Sequence, residues 1–152
     1  MYTGLNHLHS ALRWVLLLLI IVTIVKAYSG WQQKREYSVS DNKLSLFTFV
    51  SFHTQLLVGL ILYFVSPTVI LAMADMGAAM KEPVLRFYAV EHVTIMSIAI
   101  VFVTVGRISS KKMKTDWQKH KRVFVFYGIA LLLVLVAIPW PFREVGAGRG
   151  WF

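Results

Sequence analysis

Four long apolar runs separated by polar links dominate the chain, at residues 8–28, 44–66, 85–106 and 122–140. Crossing the hydrocarbon layer of a bilayer takes about 20 mostly apolar residues, and each run is long enough. The first and third links are short, and short links join neighbouring helices in opposite directions. The pattern therefore predicts an all-α membrane protein. Residues 1–152 form one domain, whose four transmembrane helices make an antiparallel up-down-up-down bundle. The middle link, "SPTVILAMADMGAAMKEPV", is itself apolar and bracketed by Pro67 and Pro83. It is expected either to lie along the membrane surface as a short amphipathic cap or to prolong the second helix. The fourth run ends at "IPWPF", where two prolines stop the helix and Trp140 and Phe142 suit the water–lipid interface.

Composition agrees with the pattern: 57% of residues are hydrophobic and only 15% charged, too apolar for an ordinary soluble domain. The first run lacks the basic leader and small-residue cleavage site of a signal peptide, so it is expected to be a retained helix. Cysteine is absent, which excludes disulfides, iron–sulfur clusters and thiol catalysis. The net charge of +9 is concentrated in the links rather than spread as a nucleic-acid footprint. Lys26, Lys34, Arg35 and Lys43 flank the first link, and Arg107, Lys111, Lys112, Lys114, Lys119, Lys121 and Arg122 crowd the third. The positive-inside rule then puts links 29–43 and 107–122 in the cytoplasm and both termini on the outer, periplasmic side of a bacterial inner membrane. The lipid bilayer is the expected partner, nucleic acid is not, and self-association in the membrane is left open.

Ionisable groups within a span cost several kcal/mol and are functional hypotheses by default. "NHLHSALRW" supplies His7, His9, Ser10 and Arg13; "SFHTQLLVG" supplies His53, Gln55 and Gly59; "RFYAVEHVTIM" supplies Arg86, Glu91, His92 and Met96. Counting about 1.5 Å per residue from each midpoint puts His92 roughly 5 Å, Arg13 roughly 7 Å and His9 roughly 13 Å toward the outer side. His53 falls about 3 Å toward the cytoplasm. Haem b held between helices needs two neutral imidazoles facing across the bundle and cations for its propionates. His92 is the first candidate ligand, and its partner is His53 or His9. Arg13 and Arg86 are candidates for the propionates, and Gly59 for giving a flat ring room. Glu91, about 100° round the helix from His92, could orient a ligand, pair with Arg13 or move a proton. His120 lies apart, a basic residue at the cytoplasmic surface.

Other readings compete. His7, His9, His53, His92 and Glu91 are donors suited to zinc, copper or non-haem iron, although His7 and His9 could share an ion only if the first helix began after them. His92 with Glu91, or His53 with Gln55, could bind a quinone and take protons from its quinol, together with haem or without it. Each histidine is also open to an ordinary hydrogen-bonded structural role, and Met96 to simple packing. The chain as a whole could instead be a structural or assembly subunit, its polar belt buried against redox or other membrane subunits. No nucleophile constellation or phosphate loop is present, so a self-contained enzyme is not the expectation.

"HLHSALRW", "FHTQLLVGLILYF", "RFYAVEHVTIM" and "IPWPFRE" together resemble short four-helix bacterial membrane proteins labelled cytochrome b, along nearly the whole chain. More distantly, histidines on antiparallel helices resemble the cytochrome b561-like fold, in which paired histidines hold haem in a four-helix core. The resemblance implies b-type haem and electron transfer, with His53 and His92, then His9, as ligands. The chain departs from the two-haem layout of that fold because His120 has no plain mate.

Overall fold

The computed structural model describes residues 2–147, so the end of the glycine-rich tail, 148–152, lies outside the described part. Seven α-helices run in order: α1 Tyr2–Gln32, α2 Val39–Val65, α3 Pro67–Ala74, α4 Met76–Ala79, α5 Pro83–Arg86, α6 His92–Lys111 and α7 Asp116–Ala137. A π-helical turn, Phe87–Glu91, joins α5 to α6 without a break, and a short 3₁₀ turn, Glu144–Gly146, follows α7. Four helical stretches are long and apolar enough to cross a membrane: Tyr2–Gln32, Val39–Val65, Pro83–Lys111 and Asp116–Ala137. They match the four predicted runs but extend past them at most ends, because polar residues in the first and last turns are accommodated outside the apolar stretch. Large apolar side chains point outward along them, among them Leu18, Leu57, Phe64 and Leu132, as suits helices surrounded by lipid.

The four helices form a closed ring of neighbours, α1 against α2, α2 against α6, α6 against α7 and α7 back against α1. Each turns one stripe of residues inward at alternating steps of three and four, the spacing that keeps a seam facing its neighbours. On α1 the buried stripe is Leu16, Ile20, Thr23, Ala27 and Gly30; on α2 it is Asp41, Ser45, Thr48 and Phe52. On α6 it is Ala99, Val103, Gly106 and Ser110, and on α7 His120, Val123, Tyr127, Ala130, Val134 and Ala137.

The basic half of the ring, next to the first and third links, is closely packed and hydrogen-bonded. Thr23 and Thr48 share a hydroxyl hydrogen bond of 2.7 Å, and the Tyr127 hydroxyl lies 3.1 Å from the Ser45 hydroxyl and donates to the Ser45 carbonyl at 3.0 Å. Buried Arg107 donates to the Asn42 side chain at 2.8 Å and its carbonyl at 3.1 Å. At the start of α2, Ser38 and Asp41 form a capping box, and Arg35 grips the same carboxylate at 2.8 and 3.1 Å. That hydrogen bond raises the Arg35 pKa above its ordinary value, while burial pushes the nearby Tyr37 hydroxyl up.

His120 is the main correction at this end. It is not a surface residue but only 1% exposed, with its ring packed over Gly30 so closely that any Cβ there would collide with it. Its Nε2 lies 3.4 Å from the Glu36 carbonyl and its ring 4.9 Å from that of Tyr37.

The middle link does not prolong α2. Ser66 leaves the helical conformation, Pro67 and Pro83 each sit in the first turn of a new short helix, and Asp75 and Glu82 cap α4 and α5 with their carboxylates. Ala72 and Ala79 pack on Ala89 of the π turn, so this segment braces the start of α6.

Candidate functional site

Followed past Leu16, Phe52 and Ala99, the seams of α1, α2 and α6 bring further polar side chains inward, while that of α7 stays apolar. On α1 the next inward positions are Arg13, His9, Asn6 and Tyr2; on α2 they are Gln55, Gly59, Leu62 and Ser66; on α6, Met96 and His92. All of them line one cavity of about 410 Å³, a size in the range of sites for small molecules and cofactors. Val134 and Ile138 complete the wall from α7, and Tyr63 and Tyr88 contribute at its edge.

The rings of His9 and His92 meet inside this cavity, 6.3 Å apart between centroids and inclined at 69°. A metal–imidazole bond of about 2 Å puts the ring centre a little over 3 Å from the ion, so two rings on one ion stand roughly 6 Å apart. The separation observed is compatible with two rings on one ion and equally with an edge-on ring contact such as Trp14 with Trp140, also 6.3 Å apart.

The inward direction of His92 is set by the π turn and by contacts across the fold. The π turn ahead of it carries one extra residue per hydrogen-bonded ring, which rotates every later side chain relative to an unbroken α-helix. It is pinned from two sides: the Tyr63 hydroxyl donates to the Ala89 carbonyl and the Tyr88 hydroxyl to the Val145 carbonyl, each at 2.8 Å. The prolines after α7 then supply the anchor for the ring. Pro139 and Pro141 have no N–H to offer the carbonyls of Leu135 and Ala137, which a continuing helix would have satisfied. Trp140 Nε1 donates to Leu135 at 2.9 Å, Arg143 to Val136 at 2.6 Å, and His92 Nδ1 to Ala137 at 2.7 Å. A carbonyl only accepts, so Nδ1 of His92 carries the proton and, in the neutral ring, Nε2 carries the lone pair. A backbone carbonyl fixing the far nitrogen in this way is the usual support of a metal-binding histidine.

His9 is held differently. Gln55 Nε2 donates to the main-chain carbonyl of His9 at 2.8 Å. The ring lies over Gly59, where a Cβ would stand 3.2 Å from Cε1 and 3.7 Å from Nδ1, so the absent side chain is what admits the imidazole. Two buried polar atoms here have no hydrogen-bond partner, His9 Nδ1 and Gln55 Oε1. Arg13, one turn along, stands in the cavity wall with its guanidinium 5.2 Å from the Trp14 ring.

Of the remaining candidates, His7 and Ser10 also line the cavity, whereas His53, Arg86 and Glu91 do not. His53 lies one position off the α2 seam; its Nδ1 donates to the Phe49 carbonyl at 2.9 Å and its Nε2 faces the Thr104 hydroxyl at 3.5 Å. Of the two proposed partners for His92, only His9 shares its cavity. Glu91 is held by Arg86 at 2.7 Å, and neither residue of that pair lines the cavity. Arg86 is thus engaged away from any ring bound between His9 and His92. The two quinone pairings separate as well, since Glu91 and His53 each point away from the cavity that His92 and Gln55 line. Helix α1 already runs from Tyr2, so His7 and His9 diverge on its surface rather than forming a two-histidine catch. Among the described residues, no group of three or more histidine, cysteine, aspartate or glutamate side chains is placed to hold a metal ion.

Sequence reasoning passed over Tyr63, Tyr88 and the carbonyl of Ala137. The prolines of "IPWPF" did signal freed carbonyls, but nothing local says which side chain takes them. Compared with protein-family models, curated proteins and solved structures, the chain matches none of them.

Proposed function

We propose that this chain is a b-type cytochrome of the bacterial inner membrane, carrying one haem b between His9 and His92. The observation that carries the reading is that two imidazoles face each other in the cavity while, among the described residues, no group of three histidine, cysteine or carboxylate side chains is placed to hold an ion. A bare ion of zinc, copper or iron needs three or more protein donors, whereas haem brings four nitrogens of its own and asks the protein for two. The spacing of the rings, the anchored Nδ1 of His92, the cradle at Gly59 and the orphaned polar atoms of His9 and Gln55 all fit a ligand bound there. Haem b, when bound, would supply reversible one-electron exchange. The chain's own residues do the rest. His92 and His9 would be the residues that hold the group, Arg13 would offer its charge to propionates, and Leu16, Phe52, Val134 and Ile138 keep the interior dry.

The same proposal covers topology. Hydrogen bonds between Thr23 and Thr48 and between His9 and Gln55 support α1 and α2 running in opposite directions, and those between Tyr127 and Ser45 and between His92 and Ala137 support the same alternation around the ring. Basic residues gathered in the links 29–43 and 107–122 support a cytoplasmic place for both, with the termini and the cavity toward the periplasm. Electrons would enter and leave through the membrane, from a quinol or from neighbouring redox subunits.

The test is an absorption spectrum of the full chain in detergent, oxidised and reduced. A Soret band with a sharp reduced alpha band is expected. It disappears in His9→Ala and in His92→Ala and survives in His53→Ala and His120→Ala. A haem spectrum that persists in the His92 variant overturns the ligand assignment; a native chain that takes up no haem overturns the function.

A further inference from the structure

His92 has a partner for its far nitrogen and His9 has none, an asymmetry that the proposed ligand role of both residues makes consequential. A histidine that ligates through Nε2 must carry its proton on Nδ1, and a buried N–H left without an acceptor is costly. Among the buried polar atoms of this cavity without a hydrogen-bond partner are a donor, His9 Nδ1, and an acceptor, Gln55 Oε1. They lie on one strip. Gln55 and Gly59 are a turn apart on α2; the main chain of His9 is bound by the Gln55 amide nitrogen, and its ring edge lies over Gly59, Cε1 and Nδ1 nearest. Both the backbone and the Nδ1 edge of His9 therefore face the same few ångströms of α2.

We infer that Gln55 is the positioning residue for His9: its amide oxygen accepts the Nδ1–H of the imidazole, directly or through one bridging water, while its amide nitrogen holds the His9 carbonyl. The inference rests on the proposed haem-ligand role of His9 and gives Gln55 two separable jobs. One is a tether to the backbone, which needs the amide N–H. The other sets the tautomer of the ring, which needs only an acceptor, so that Nε2 presents its lone pair to the cavity. A water suffices as the bridge because the place is polar and its partners are a donor and an acceptor. His92 reaches the same end through the Ala137 carbonyl, so the two ligands would be supported by chemically different acceptors, one backbone and one side chain.

The experiment uses the full chain in detergent with ¹⁵N-labelled histidine. Nitrogen chemical shifts read the tautomer of His9, with His53 and His120 as internal controls of folding, and haemin titration reads affinity. Three variants separate the jobs. Gln55→Met removes both amide groups at nearly constant length, Gln55→Leu does so with a different shape should the first not fold, and Gln55→Glu keeps an acceptor while losing the N–H tether. Native His9 is expected in the Nδ1–H form. The Met or Leu variant mixes the tautomers and lowers haem affinity at least tenfold, as loss of an outer support does at metal sites, and the Glu variant restores the Nδ1–H form. An unchanged His9 tautomer in the Met and Leu variants overturns the inference, as does a Glu variant that matches Met, since Gln55 would then be a tether only. If no variant and no native sample takes up haem while the tautomer responds as stated, the cytochrome reading falls and the assignment of Gln55 to His9 stands.

Discussion

The two halves of this bundle share one seam geometry and use it in opposite ways. In the basic half the inward positions are small or hydroxyl-bearing, Gly30, Ser45, Thr48, Gly106 and Ser110, and they satisfy one another or let a ring nest against the backbone. The helices close there, and the hollow beside His120 is about 10 Å³. In the cavity half the inward positions are His9, Arg13, Gln55, Gly59, Met96 and His92, too polar to pack against each other and too few to fill the space. About 410 Å³ is left, together with two unbonded buried atoms. One half is finished by the chain itself, and the other leaves space and polar atoms that suit the ligand proposed for it.

Breaking the finished half should cost most. Gly30→Val drives a side chain into the His120 ring, with no room for the helix to yield, and should lower stability by about 3 kcal/mol, at the upper end of the usual cost of overpacking. Thermal unfolding in detergent reads this. A loss under ~1 kcal/mol would mean that His120 is free to swing away, and the closeness of packing at this end would not be what distinguishes it.

The cavity half should respond with the opposite sign. Replacing His9 and Gln55 together by leucine removes both unbonded atoms and fills part of the cavity, so the double variant should gain about 1 kcal/mol while losing every trace of bound haem. Stability bought at the expense of binding is the mark of a site. A double variant that unfolds more readily than the native chain would show that the two residues serve the fold.

Much of this was legible in the sequence, but at uneven resolution. The four spans, the charged links and the small set of polar residues follow from the apolar pattern alone. The choice between His53 and His9 did not follow from depth along the helix axis, which favours neither. Rotation about the axis is what puts His9, and not His53, in the cavity with His92. Steps of three and four backward from Leu16 fall on Arg13 and His9, and forward from Phe52 they fall on Gln55 and Gly59, passing His53 by. The seam was therefore present in the sequence, but it becomes readable only once its start is known, and Ser45, Thr48 and Gly30 do not announce themselves as core. The π turn and the carbonyl that anchors His92 were out of reach, because both are set by contacts from Tyr63, Tyr88 and α7 across the fold. His120 was misjudged for a related reason: a histidine among six neighbouring basic residues reads as surface, and only the missing side chain of Gly30 makes it a core residue.

A smaller effect separates a hydrogen bond inside the finished half from its surroundings. Thr48→Val removes the partner of the Thr23 hydroxyl, which still donates to the Leu19 carbonyl at 2.7 Å. The loss should be about 0.6 kcal/mol, the average for polar contacts between membrane helices, and the haem spectrum should not move. A shifted spectrum would show the two halves to be coupled through α2.

The finest test lies within the cavity half and sets its two arginines against each other. Arg86 and Glu91 form an ion pair at 2.7 Å with side chains 37% and 39% exposed, so solvent screening and side-chain entropy offset most of the attraction. Arg86→Gln should change stability by less than about 0.5 kcal/mol and leave haem affinity within twofold. Arg13→Gln alters the wall itself, where a propionate would look for a cation, and should weaken haem binding several-fold with little change in the axial-ligand spectrum. Equal losses from the two variants would extend the site outward to the ion pair beside the π turn. No loss from either would leave the imidazoles and the apolar wall to hold the ring alone, and the polarity of the α1 seam beyond His9 would then need another cause.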